Sequence, residues 1–326
     1  MPDDPPTRCP SCGRPLVPGA VCPACTALAR TATPEAAPAT PVINGRYVLQ
    51  RMLGRGGAKE VWLAHDATLE RPVAIARARS GEVGAEARER MRREARFMAR
   101  LGDHPNIVTV FDAVVDAGVL HIVVRYMAGG SLAERLATVP DGRLEPAEVL
   151  RTGRALADAL AHAHAHAVVH RDVKPDNVWL GADGSAGLGD FGIAMVTGDA
   201  PGSAASATGT PYYQAPEQGA GAPPLPESDL YALGATLWEL LCGRPPFTGR
   251  DAVSLLAQHR NAEPEPPSRH APGIAPGLDA LVLSLLAKRR DARPGDAAGV
   301  RDALERLGGA PRVPVAALAA DREPIV

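Results

Sequence analysis

No apolar run in this sequence approaches the roughly 18 residues that a membrane helix needs; the apolar tail segment Val313–Ala320 is far too short. An excess of one charge is missing too: 35 Lys and Arg stand against 37 Asp and Glu, for a net charge of −2. That balance leaves no basic face for nucleic acid and no polybasic patch for a membrane surface. The first residues, with Asp3, Asp4 and several prolines, lack the charged and apolar regions of a secretory leader. The expectation is a chain of the reducing cytoplasm, with neither nucleic acid nor membrane as partner. Internal repeats are absent. Lysine is scarce, and cysteine is nearly so: four of the five cysteines fall within Cys9–Cys25.

What is present suits one large domain with a small appendage. The 326 residues are 45% hydrophobic, enough for a sizeable core. Cys9-Pro10-Ser11-Cys12 and Cys22-Pro23-Ala24-Cys25 form two CxxC pairs. Each such turn aims two thiolates at one point, so the two together make a tetrahedral Zn²⁺ shell with no open position, a structural site. Residues 1–26 are therefore read as a four-cysteine zinc knuckle, folded by its metal. Residues 27–44, rich in Ala, Pro and Thr, read as a flexible linker. A domain over 45–309 follows, then a loose tail over 310–326.

Within that domain Tyr47–Leu53, Val61–Ala64 and Val73–Ala76 read as strands. Glu86–Leu101, Leu150–Ala167, Leu230–Leu241 and Leu278–Ala287 read as helices. Three motifs stand in order: His170-Arg171-Asp172-Val173-Lys174-Pro175-Asp176-Asn177, then Asp190-Phe191-Gly192, then Ala215-Pro216-Glu217. One tripeptide alone would mean little; three in register are specific. Over about Arg46–Leu307 the chain resembles the eukaryotic-like serine/threonine protein kinases of bacteria.

The resemblance implies an α+β, bilobal protein-kinase fold, with a small β-rich lobe and a larger helical one. It implies ATP and Mg²⁺ as cofactors and Ser/Thr hydroxyls of proteins as acceptors. Phosphoryl transfer is chiefly positioning and charge neutralisation. Asp172 would accept the hydroxyl proton, and Lys174 would steady the transferred group. Asn177 and Asp190 would offer hard oxygen ligands to Mg²⁺. Leu53, Gly54, Gly56, Gly57, Val61, Ala74, Val124 and Tyr126 would line the nucleotide pocket, with Arg125–Met127 as the hinge. Asp229 would brace the catalytic loop, Arg293 would pair with Glu217, and Met98, Phe191 and His170 would stack between the lobes. Thr210 matches the substrate-facing threonine. Cys242 lies in an apolar helix and reads as core. His162, His164 and His166 read as a helix end rather than a metal cluster.

Three departures stand out. Where the family shows a lysine at the end of its third strand, this chain has Val73-Ala74-Ile75-Ala76. Arg77 cannot stand in, because successive side chains on a strand face opposite ways. The glycine loop reads Gly54-Arg55-Gly56-Gly57-Ala58-Lys59-Glu60-Val61, with Lys59 in the place of the third glycine. Lys59 shares its strand face with Val61, so its ammonium is expected near the phosphates, with Glu94 as helix partner. That exchange resembles the with-no-lysine kinases. Two readings follow: an active enzyme with a relocated lysine, or a nucleotide-binding pseudokinase scaffold. The third departure is Trp179, where an aliphatic residue usually underlies adenine; an indole there stacks on the base or fills its pocket. Finally, Thr197, Ser203, Ser206, Thr208 and Thr210 lie between the second and third motifs. The expectation is autophosphorylation in trans through self-association, Thr208 first, the phosphate pairing with Arg171.

Overall fold

The computed structural model describes residues 42–55, 59–78, 101, 104–191 and 211–309, Lys59 and Ala78 through their backbone alone. Its first part is a six-stranded sheet: β1 (Val42–Ile43), β2 (Tyr47–Arg55), β3 (Lys59–Asp66), β4 (Arg71–Ala78), β5 (Val110–Asp116) and β6 (Val119–Arg125), in the order β1-β2-β3-β4-β6-β5. The sheet starts upstream of position 45. Asn44 and Gly45 (φ 51° and 63°) make the tight two-residue turn that joins β1 to β2.

β3 and β4 pair without a break from Lys59 opposite Ala78 to Asp66 opposite Arg71. Their alternation gives the sheet two different faces. Val73 and Ile75 are fully buried with Tyr47, Leu49, Ala64 and Val123 in a small core. Ala74 and Ala76 stand on the opposite face, where the cleft lies. At the β3–β4 turn the buried Asp66 accepts two bonds from Arg46 (2.8 and 2.7 Å) and others from the Thr68 and Leu69 amides. Arg46 foremost holds that carboxyl at about 2, against the opposing effect of burial.

The second part is helical. α1 (Leu132–Thr138) opens on a capping box in which Ser131 and Glu134 satisfy each other's amides. α2 (Pro146–Ala165) precedes the hairpin of β7 (Val178–Leu180) and β8 (Ala186–Leu188). Then come α3 (Pro216–Gly219), α4 (Pro226–Cys242), α5 (Ala252–Asn261), α6 (Pro276–Leu285) and α7 (Ala297–Gly308). Apolar runs place three of these helices at Leu150, Leu230 and Leu278; the structure starts them earlier, at Pro146, Pro226 and Pro276. Proline costs nothing in the first turn, whose amides have no intrahelical partner. α4 is the centre of the large core, with Leu230, Tyr231, Leu233, Leu237 and Trp238 all sealed from solvent. Gly243, at φ 76°, ends it. Among the described residues no helix is long and apolar enough to cross a membrane.

α5 docks through Leu255 and His259, both fully buried. The His259 Nδ1 lies 2.8 Å from the Tyr231 hydroxyl, and Phe247 meets the ring edge-on. Burial first, and then the Lys288 ammonium, pull the imidazole pKa down from 6.5 to about 4. A depressed histidine is neutral in both states above pH 6.5 and contributes nothing there. As pH falls from 6.5 toward 4 only the unfolded chain takes the proton, so stability drops by up to about 1.4 kcal/mol per unit. Thermal melts between pH 7 and 4 should show this acid branch in the wild type and a flatter one in His259→Gln. An equal slope in the two proteins would contradict it.

Candidate active site

Between the sheet and the helical part lies a cleft of about 720 Å³, counting its open mouth. Its roof is Leu53 from β2, Val61 from β3, and Ala74 and Ala76 from β4; Val124, Tyr126 and Met127 form the side, and Trp179, Gly189, Asp190 and Phe191 the floor. The backbone of Gly54 continues β2 past Leu53 and stands opposite Val61. Sequence reasoning named most of these residues. It missed Gly189 and the inner apolar wall of Ile107, Val108, Val110 and Ile122. The position of Gly189, directly before Asp190, is a signal that was there to read; the inner wall has no local signature.

The chemical groups converge on the loop between α2 and β7. Asp229, in the first turn of α4 and 1% exposed, holds that loop by its backbone. Its two oxygens accept from the amides of His170 (2.8 Å) and Arg171 (2.7 Å), and His164 Nε2 lies 2.8 Å from the first of these oxygens. Arg171 is thereby kept at φ 75°, a conformation that costs a non-glycine residue on the order of 1–3 kcal/mol. His164 is thus a brace of the catalytic loop, which accounts for one of the three spaced histidines. His170, buried, reaches the Gly189 carbonyl through Nε2 (2.8 Å) and meets Phe191 edge-on with ring centres 4.5 Å apart.

Asp172 emerges from this frame half exposed (46%). Lys174 Nζ donates to both its oxygens (2.9 and 2.6 Å), and the Asn177 amide nitrogen donates to one of them (2.9 Å) and to its carbonyl (2.7 Å). Partial burial pushes the carboxyl up, but Lys174 and Asn177 outweigh it and hold Asp172 below the usual carboxylate range. Asn177 spends its nitrogen on Asp172, so its carbonyl oxygen remains for a hard cation; with the Asp190 carboxylate this is a donor set that fits Mg²⁺. Asp190 itself takes φ 62°.

On the roof, Ala76 lines the cleft where a cation was missing from the sequence. Arg77 lies on the other face of β4: it donates two bonds to Glu60 (2.9 and 2.7 Å) and its guanidinium sits 5.5 Å from the Trp62 ring centre. Lys59 occupies β3 two positions before Val61, paired with Ala78. The side chain of Lys59 and all of Gly56, Gly57, Glu94, Met98, Thr208 and Thr210 lie outside the described residues, as do Cys9, Cys12, Cys22 and Cys25. Among the described residues no three His, Cys, Asp or Glu side chains are grouped to hold a metal. Cys242 is half-buried, and burial pushes its thiol up to about 12, which makes it a poor nucleophile.

Behind the site, Glu217 and Arg293 form a bidentate ion pair (2.8 and 2.8 Å). The guanidinium is fully buried and also donates to the Ala287 and Glu227 carbonyls (2.9 and 2.7 Å). Ser228 completes the Glu217 carboxylate at 2.7 Å.

Comparison with known proteins agrees with this geometry. Residues 47–305 match the protein kinase domain family. A probable serine/threonine-protein kinase of Streptomyces coelicolor, SCO3848, is 39% identical over 287 residues, 85% of this chain and 42% of that protein. Serine/threonine-protein kinase PrkC of Bacillus subtilis is 38% identical over 248 residues, 76% of this chain and 38% of the relative. The chain thus spans less than half the length of these curated relatives. The crystal structure of the Mycobacterium tuberculosis PknI kinase domain superposes with a TM-score of 0.64 at 30% identity, over 83% of this chain and 99% of that one. Fold, loop geometry and relatives agree: the chain belongs to the protein kinase family, among the bacterial serine/threonine kinases, and has their bilobal fold.

Proposed function

We propose that the chain transfers the γ-phosphoryl group of ATP to serine or threonine hydroxyls of proteins. The observation that carries this reading is Asp172, ionised and oriented by Lys174 and Asn177, on a loop whose Asn177 carbonyl accepts from the amide of Gly189, the neighbour of Asp190 on the cleft floor. Asp172 accepts the proton of the acceptor hydroxyl and aims its oxygen. Lys174 neutralises charge beside it. Asn177 and Asp190 would hold Mg²⁺, which would supply positive charge to offset that of the phosphates. In ATP-dependent labelling of a generic acceptor protein, Asp172→Asn is expected to lower turnover about 10²- to 10⁴-fold. Labelling unchanged by that substitution would remove the assignment.

The cation over the phosphates is Lys59. Its backbone lies on β3 two positions before Val61, the residue opposite Ala76, and Arg77 is committed to Glu60 on the far side. Glu94 is its partner on the helix. The alternative of an inert nucleotide-binding scaffold has no observation in its favour, since Asp172, Asn177 and Asp190 are all retained. We further propose that the four cysteines of residues 1–26 hold a structural Zn²⁺ and that Thr208 is autophosphorylated in trans by a second copy. We place the protein in the cytoplasm.

A further inference from the structure

The floor of the cleft is a short hairpin in which Trp179 of β7 stands opposite Gly187 of β8. The next position on that side, 189, is glycine as well. Backbone conformation does not explain Gly189, because it is not among the residues with positive φ. Space does. A Cβ added there would lie 2.8 Å from Cδ1 and 3.0 Å from Nε1 of Trp179, and 3.3 Å from Cγ2 of Val108. At Gly187 the added atom would only touch Met127 and Val108, at 3.4 Å.

The backbone at 189 has no room to yield. Its amide donates to the Asn177 carbonyl (2.9 Å) and its carbonyl meets His170 Nε2 (2.8 Å). Any side chain at 189 must therefore displace the indole rather than the strand. Opposite the indole, across the cleft, stand the apolar side chains of Leu53, Val61 and Ala74. The indole and these aliphatic groups line one cleft, which suits a planar base.

We propose that Trp179 and Gly189 are one unit, in which the indole, seated in the volume the glycine leaves free, is the platform on which the purine of the bound nucleotide stacks. This rests on the kinase reading but is tested apart from catalysis, by the binding of Mg·ADP in calorimetry. Trp179→Leu removes the aromatic face and is expected to weaken binding about 5- to 20-fold, the lower range of base–aromatic stacking. Gly189→Ala in the wild-type background is expected to weaken it at least as much, because the methyl group tilts the indole out of the slot. In the Trp179→Leu background the same alanine should change affinity less than about twofold, since the smaller side chain leaves room. A parallel arm needs no nucleotide: Gly189→Ala should lower the melting temperature beside Trp179 and not beside leucine, which also reports whether each variant folds. Equal effects of Gly189→Ala in both backgrounds, or Trp179→Leu within twofold of wild type, would overturn the platform and leave the kinase reading standing. Wild-type protein that binds no Mg·ADP would overturn both.

Discussion

Arg293→Met lowers the free energy of unfolding by about 3–5 kcal/mol, the cost of stranding one member of a buried ion pair. The magnitude follows from the surroundings of the guanidinium. It is fully buried, and Glu217 and the carbonyls of Glu227, Ala287 and Lys288 between them occupy its donors. Removing it leaves Glu217 with only Ser228 and its own backbone amide. Burial tends to raise the Glu217 carboxyl, and Arg293 is the chief group that holds it below its usual range. Without the arginine, Glu217 must take up a proton or draw in water. Chemical denaturation of Arg293→Met, Glu217→Gln and the double variant decides the point. The two single substitutions should each cost more than the pair of them together adds, because the double variant strands no charge. Strict additivity would show that the two side chains do not act as a pair.

Lys59→Ala costs about 2–4 kcal/mol of transition-state stabilisation, comparable to the loss of one preorganised donor to developing charge. This corresponds to a fall in kcat/KM of roughly 30- to 1,000-fold. The double variant with Ala76→Lys regains much of that loss if one cation over the phosphates is what the site requires. Ala76 is on the cleft roof, directly opposite Val61, so a lysine there starts from the wall on which the family usually carries it. Arg77 offers no rescue, since Glu60 and Trp62 hold it on the other face of the sheet. Turnover unchanged in Lys59→Ala would refute the relocation and leave the family assignment untouched.

The local parts of this fold were legible before any coordinates. Two-residue alternation along Val73–Ala76 separates a core face from a cleft face, and the structure keeps that division residue for residue. The catalytic segment is equally local: Asp172, Lys174 and Asn177 lie within six consecutive positions, so one loop brings them into hydrogen-bond reach. Helix starts were less legible. An apolar pattern cannot register a first turn built on proline, and four helices begin on one, three of which that pattern starts too late. The four cysteines of residues 1–26, Glu94 and the threonines between the second and third motifs lie outside the described residues.

By itself, then, the sequence determined which chemical groups the chain carries and which of them share a turn or a strand face, because spacing along a regular backbone sets direction. Only the tertiary structure decided what crosses the chain. It set His164 against Asp229 over 65 residues, closed Tyr231 on His259, and left at Gly189 the space that Trp179 fills, whereas the resemblance had already named Asp229 under the catalytic loop and Glu217 with Arg293. Such contacts depend on how separate elements pack, and packing leaves no periodic trace in the order of the residues.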